Sequence, residues 1–310
     1  MSKPLVSLCI PTNGIVEWVL PVLESIYNQN ISDDLFEVII TDNGDQSELE
    51  INIKNYLEKH LNLLYYKTND FQFLNQISCF KKANGELIKF VNHRMVLKEG
   101  SLDLLINICN ENIDKKTVLY FLNGSKKMPN FNYYCDFNSF VKALSYFSSW
   151  SGGLAIWKSD LELITKETEY NKWFPHTNFL FSVTENRNFL ICNQVIQEEQ
   201  NADDTKKGKY NLFEVFAIEY LEVILNLVKQ KKITYETFLY VKKDLFKFIC
   251  DLYLNYVILK KACSYEILYY DEAISVFYGK CGLVRLKIKI TFLILKKCIR
   301  KMLNIFHIIH

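Results

Sequence analysis

The sequence predicts an α/β protein: a mostly parallel sheet flanked by helices over residues 1–205, then a helical region over 206–310. Short apolar runs alternate with amphipathic helical patterns through the first 120 residues, and helical periodicity returns strongly after Lys209. No internal repeat, long low-complexity tract or Pro-rich linker separates the two parts. With 310 residues, 49% of them hydrophobic, the chain can bury a large core, which excludes disorder, collagen-like repeats and a disulfide miniprotein.

Leu5 to Ile10 is a buried-strand candidate, and Glu17 to Asn28 a helix with Val19, Leu20, Leu23, Ile26 and Tyr27 on one side. Phe36 to Thr41 is the second strand, closed by the turn residues Asp42-Asn43-Gly44. Ile51 to His60 and Leu63 to Tyr66 give the next helix and strand, Phe73 to Ala83 and Leu87 to Val91 the pair after that. Asn92-His93-Arg94 follows, then a helix from Ser101 to Asn110 with Ser101 as its expected N-cap. Val118 to Leu122 is another strand. An aromatic stretch leads through Trp150-Ser151-Gly152-Gly153 to a further strand, Leu154 to Trp157. Leu212 to Val228 is a helix, and Phe238, Val241, Leu245, Phe248, Leu252, Tyr256 and Leu259 mark another. Val284 to Phe292 alternates apolar and polar as a strand would and stays open between strand and helix; 294–306 reads as helix, with Leu295, Ile299, Met302 and Phe306 as its stripe.

Nine cysteines, an odd number with no C-x-x-C spacing, read as free thiols of a reducing compartment. The short apolar start, broken by Pro11, does not read as a signal peptide, so a cytoplasmic location is expected. The net charge of +2 hides an asymmetry. Lys280, Arg285, Lys287, Lys289, Lys296, Lys297, Arg300 and Lys301 face no acidic residue from 280 onward, leaving 29 basic against 35 acidic residues before them. This tail is also apolar, yet its uncharged stretches are shorter than the roughly 20 residues of a bilayer span. It is expected to lie on the inner face of the cell membrane, bound to anionic lipid; the bland alternative is a solvated helix face. Nucleic acid is not an expected partner.

Open α/β sheets bind ligands beyond the carboxyl ends of their strands. The loops there are Pro11-Thr12-Asn13-Gly14, Asp42-Asn43-Gly44-Asp45, Asn69-Asp70 and Asn92-His93-Arg94, all polar. Asp42 is the best single candidate for a nucleoside contact, since a carboxylate closing a strand accepts from ribose hydroxyls or a base N–H; the alternative is a tight turn. There is no G-x-G-x-x-G and no Walker A segment, which argues against a dinucleotide enzyme and a P-loop NTPase, and no G-x-S-x-G.

Val6-Ser7-Leu8-Cys9-Ile10-Pro11-Thr12-Asn13, Leu23-Glu24-Ser25-Ile26-Tyr27-Asn28-Gln29, Phe36 to Gly44 and Ala83-Asn84-Gly85-Glu86-Leu87 resemble, in order and spacing, the start of family 2 glycosyltransferases of the GT-A fold. The resemblance implies that Pro11, Thr12, Asn13, Asp42 and Asn43 hold the nucleotide of a sugar donor, with Asn75 near the base or phosphates. The family's D-x-D, which binds Mg²⁺ or Mn²⁺ between the donor phosphates, falls at Asn92-His93-Arg94, which offers no carboxylate. Three roles are open there: Arg94 as a fixed cation for the diphosphate without metal, weak Mn²⁺ coordination by Asn92 and His93, or loss of donor binding.

On the acceptor side, Trp150, Ser151, Gly152 and Gly153 resemble the small-residue segment before the family's acceptor-binding strand; a structural Gly pair is the alternative. His176 falls where many members have a general base, and an unperturbed pKa near 6.5 suits that work. Glu167, Glu169 and Glu185 are fallback bases, and Asp203-Asp204 reads as a solvated loop. The resulting expectation is an inverting transfer of a sugar from a nucleotide-diphosphate donor to a lipid-linked surface glycan such as O-antigen or capsule. The competing expectations are a catalytically inactive GT-A-like module that binds a glycan or partner, and a peripheral membrane scaffold.

Overall fold

The computed structural model describes residues 3–162, 164, 168–200 and 203–308, side chains excepted at 204, 293, 294 and 296–308. The chain divides into two compact units. One runs to Ala202 and takes in Lys231–Thr237; the other comprises Asp203–Gln230 and Phe238 onward.

The first unit runs β1 (Val6–Thr12), α1 (Val16–Tyr27), β2 (Phe36–Asp42), α2 (Glu48–Asn52), α3 (Lys54–Lys59), β3 (Leu63–Lys67), α4 (Asn75–Lys82), β4 (Leu87–Phe90), β5 (Met95–Leu97), α5 (Ser101–Asn112), β6 (Val118–Phe121), β7 (Phe131–Tyr134), α6 (Phe137–Leu144), β8 (Ala155–Trp157), α7 (Lys158–Glu162), α8 (Pro175–Leu180), β9 (Phe189–Cys192) and β10 (Gln197–Glu199). The main sheet has the order β3-β2-β1-β4-β8, parallel except for β8, which pairs antiparallel with β4. β1 and β2 are buried on both faces because helices cover both, the condition that favours long apolar runs, interrupted here by Ser7 and Glu37. On one face Val6, Leu8, Ile10, Val38 and Ile40 pack with Val19, Val22 and Leu23 of α1 and Leu102 and Leu105 of α5. On the other face lie Cys9, Ile39 and Ile88, with Ile77, Cys79 and Phe80 of α4 also buried. Each such side chain removed from water contributes about 1.5–3 kcal/mol.

The register sets the ends of the strands. Thr12 pairs with Asp42 and Asp42 with Lys67, so three strands finish level and their side chains meet at one edge. At the opposite edge a clasp holds strand order. Glu37 of β2 accepts from Ser7 Oγ of β1 (2.5 Å) and from the backbone N–H groups of Asn84 (2.5 Å) and Gly85 (3.1 Å) in the turn before β4. A Cβ on Gly85 would lie 2.6 Å from Ser7 Oγ and 2.7 Å from Ser7 N. Gly85→Ala is therefore expected to lower stability by about 1–3 kcal/mol; an unchanged urea midpoint would mean that the clasp yields freely.

Two smaller sheets complete the unit: β5 with β10, antiparallel, and β6-β9-β7, with β6 parallel and β7 antiparallel to β9. Several local expectations change. The helix expected at Ile51–His60 is two short ones meeting at Ile53. The cap of α5 is Gly100, whose φ of +76° suits glycine, while Ser101 Oγ donates to the Ile196 carbonyl. Inside the expected aromatic stretch, α6 forms because Asp136 caps it, accepting from Ser139 N–H at 2.8 Å.

In the second unit, α9 (Leu212–Glu214), capped by Asn211, runs through a π turn at Val215–Glu219 into α10 (Tyr220–Lys229). The greater part of α11 (Tyr235–Leu252) follows, ending in a second π turn, Tyr253–Ile258. The last helix, α12 (Tyr270–Ile308), breaks at Gly279, where φ is +64°. Phe213 with Tyr253 and Tyr270, and Phe216 with Phe248, are among the aromatic contacts of this unit. Residues 284–292, left open by the sequence, are helical.

Candidate functional site

At the level ends of β1–β3, Asp42 is fully buried. Its Oδ1 accepts from Gly44 N–H (2.8 Å); its Oδ2 accepts from Tyr65 OH (2.8 Å) and Lys67 Nζ (3.1 Å). Gly14 leaves room for it, since a Cβ there would lie 2.9 Å from Asp42 Oδ1, and a Cβ on Gly44 would strike the Asn13 carbonyl. Asp42, expected to contact a nucleoside, thus organises the loops around it, both of its oxygens taken up by these donors. Asn43 and Asn75 are framework too. Asn43 Nδ2 donates to the carbonyls of Asp70 (2.8 Å) and Gln72 (3.1 Å). Asn75 Nδ2 donates to the carbonyls of Thr12 (3.1 Å) and Thr41 (2.8 Å), while its Oδ1 accepts from Thr68 Oγ1 (3.0 Å). Pro11 is half-buried and Asn13 exposed. Two acceptors in the neighbouring segment have no hydrogen-bond partner although buried: Asp70 Oδ2 and Gln76 Oε1. Such atoms are destabilising unless a ligand or water donates to them.

The turn after β4 joins this edge. His93 Nδ1 lies 2.7 Å from Thr12 Oγ1, and its ring meets Trp18 edge-on at 5.0 Å. Burial, with Arg94 beside it, pushes its pKa down to about 3, so the imidazole is neutral at pH 7. The Arg94 guanidinium lies over the Trp18 ring (5.5 Å) with Nη1 4.0 Å from Glu199. Nη1 is buried without a hydrogen-bond partner. Asn92 Oδ1 accepts from Arg94 N–H (3.0 Å). This donor set does not fit a divalent cation: there is no carboxylate, the Asn92 oxygen is turned onto the backbone, and the His93 nitrogen meets a hydroxyl. Among the described residues no group of three or more His, Cys, Asp or Glu could hold a metal ion.

The residues expected on the acceptor side, Trp150 to Gly153, form a second cluster. Trp150 is exposed and packs on Phe147 and Tyr146. Gly153 is glycine for an internal reason: a Cβ would collide with the Tyr120 ring, whose OH donates to the Trp150 carbonyl (2.6 Å). A Cβ on Gly152 would meet nothing within 4 Å, so the space beside it is open. Ser151 is half-buried. Lys89, which sequence reasoning passed over, ties this cluster to the end of β4. Its fully buried Nζ donates to the carbonyls of Phe90 and Gly152, both at 2.6 Å, and lies 5.2 Å from the Phe121 ring centroid.

His176, in α8, is 2% exposed, and Nε2 lies 3.0 Å from the Ser148 carbonyl. A carbonyl only accepts, so Nε2 carries the hydrogen and Nδ1 the lone pair. Nδ1 is buried without a partner. The expected near-neutral pKa is corrected to about 4, because burial disfavours the charged ring. The contacts that hold His176 belong to the 148–149 stretch, not to the loops at the ends of β1–β4. Glu169, Glu185 and Asp203 are exposed, and Glu167 lies outside the described residues. Trp18, Tyr65, Lys67, Gln76 and Lys89 were missed by sequence reasoning. Only the polar pair Asn75-Gln76 at a helix start was a readable signal.

No family model matches the chain, and no curated protein matches it in sequence. Solved structures do. S. aureus TarS aligns at a TM-score of 0.48 and 16% identity over 72% of this chain and 40% of that one. TarS 1–349 in complex with UDP-GlcNAc aligns at 0.49 and 14%, over 88% and 71%. This chain therefore spans less than half of the full TarS chain it matches. The mannosyltransferase PcManGT from Pyrobaculum calidifontis, in complex with GDP-Man and Mn²⁺, aligns at 0.50 and 14%, over 97% and 81%. On that last match, the chain has a GT-A-like glycosyltransferase fold, with a mostly parallel sheet flanked by helices.

Proposed function

We propose that this protein is a family 2 type glycosyltransferase that moves a sugar from a nucleotide-diphosphate donor to a hydroxyl of a lipid-linked surface glycan of the O-antigen or capsule kind, with inversion. The single observation that carries the reading is Arg94: a guanidinium laid on Trp18 at the carboxyl edge of the sheet, with a buried N–H group that has no hydrogen-bond partner. A diphosphate oxygen is the ligand that such a donor fits. The donor loops are 11–14, 42–44, 70–76 and 92–94, with Asp70 Oδ2 and Gln76 Oε1 available to ribose hydroxyls or a base N–H. The fold is that of PcManGT, which binds GDP-Man with Mn²⁺; here Arg94 supplies the positive charge instead.

In the reaction, the acceptor oxygen attacks the anomeric carbon and the bond from that carbon to the phosphate oxygen breaks. The hydroxyl proton passes to His176 Nδ1, the lone-pair nitrogen fixed by the Ser148 contact, and Arg94 stabilises the charge on the departing diphosphate. Trp150 and the open space beside Gly152 receive the acceptor. Transfer belongs to the first unit, and attachment at the inner membrane face to the second.

The test is calorimetric titration of UDP, GDP, CDP and dTDP, each with Mn²⁺ and with EDTA. One nucleotide is expected to bind with an affinity that EDTA leaves unchanged. Absence of binding for all four would overturn the enzyme. It would leave an inactive glycan- or partner-binding module, a reading that the sealed Asp42 and the missing carboxylates at 92–94 favour.

A further inference from the structure

The segment of α12 after Gly279 presents an apolar face to solvent. Val284, Ile288, Phe292 and Leu295 are 56%, 51%, 68% and 51% exposed, and Cys281 is exposed as well. Their spacing of three and four residues puts them on one side of the helix. The opposite side is already occupied, with Leu286 and Ile290 buried. The helix is thus seated by one apolar face while a second stands bare. In sequence, apolar residues recur at the same spacing at Ile299, Met302 and Phe306.

The charges beside this face identify its occupant. From Lys280 to the end there are eight Lys and Arg and no acid. Lys280, Arg285 and Lys287 are exposed within the described part, with Lys287 also paired to Asp271 at 3.2 Å. An apolar stripe flanked by cations matches the boundary between acyl chains and anionic headgroups. Among the described residues no helix is long and apolar enough to cross a membrane, so the helix would lie in the plane of the surface. A helix from 280 to 308 presents a strip of about 40 Å.

We propose that the face formed by Cys281, Val284, Ile288, Phe292 and Leu295 is a lipid-docking surface, selective for bilayers rich in anionic phospholipid. The proposal deepens the reading of a lipid-linked acceptor and rests on that reading only for its purpose.

The experiment is cosedimentation of the full chain with phosphatidylcholine vesicles, with and without one third phosphatidylglycerol, in the absence of donor and acceptor. Binding is expected to the anionic vesicles, weakened by high salt and about tenfold or more weaker in the double variant Ile288→Glu, Phe292→Glu. Both positions are exposed, so the variant should keep its circular dichroism and its nucleotide affinity. Arg285→Gln with Lys289→Gln should lower affinity for anionic vesicles only. Failure to bind either vesicle overturns the proposal while leaving sugar transfer standing. A dimer in sedimentation velocity that the double variant abolishes, with no vesicle binding, assigns the face to a second copy and also overturns it.

Discussion

Arg94→Ala should lower affinity for the nucleoside diphosphate by about ten- to a hundredfold and leave affinity for the bare nucleoside unchanged. A charge-assisted hydrogen bond contributes about 1.5–3 kcal/mol, and only the phosphates receive it. The rate should fall further than the affinity, by about 10²- to 10³-fold, because charge on the leaving diphosphate grows as the glycosidic bond breaks and a fixed donor acts most strongly there. Arg94→Lys should not restore it: an ammonium neither stacks on Trp18 as a plane nor presents the same fork of donors. Titration of diphosphate and nucleoside side by side makes the comparison. Equal losses for both would reduce Arg94 to a partner of Glu199 that shapes the turn.

The second large effect is on stability against pH. Burial of Lys89 lowers its pKa from 10.5 to about 7. The unfolded chain keeps that proton up to about pH 10.4, so between pH 7 and pH 9.5 the unfolded state holds more protons than the folded one. Stability therefore rises with pH across this window by about 1.4 kcal/mol per unit, some 3 kcal/mol in all. Lys89→Met, apolar and of similar length, should flatten the slope in urea denaturation at successive pH values. Cys192 is the titratable neighbour, its thiol pushed up by burial, so it stays protonated and uncharged near neutrality. On the acid side the sign is the same for another reason. His93 and His176 resist protonation when folded, with pKa values near 3 and 4 against 6.5 unfolded, so stability falls as pH drops below 6.5. A slope in Lys89→Met equal to that of the parent would show that Lys89 is already charged in the fold.

The main sheet was readable because β1 and β2 are buried on both faces and their apolar runs leave no ambiguity. The small sheets were not. β10 is Gln197–Glu199 and β7 alternates exposed aromatics with half-buried residues, so neither carries the apolar signature of a strand. The tail was left open for a physical reason. Apolar residues at 284, 286, 288, 290 and 292 look like strand alternation, yet on a helix they divide into an inward pair, 286 and 290, and an outward set, 284, 288 and 292. At the candidate site the loops were legible from turn residues, but roles were not. Asp42 and Asn75 draw some of their partners from Tyr65, Lys67 and Thr68, which the strand register brings near. Lys89 left no trace in sequence, because one lysine in an apolar strand reads as an outward position.

The Glu37 clasp bears on how the chain finds its topology. Its partners lie 30 and 47 residues away, and none can reach it until β1, β2 and the turn before β4 have converged in their native order. Any compact arrangement that seats another strand beside β1 strands a carboxylate in an apolar interior, which costs several kcal/mol. The acid thus works as a lock with one key: it makes misthreaded sheets untenable, so segments that carry the resemblance to a known family also serve assembly.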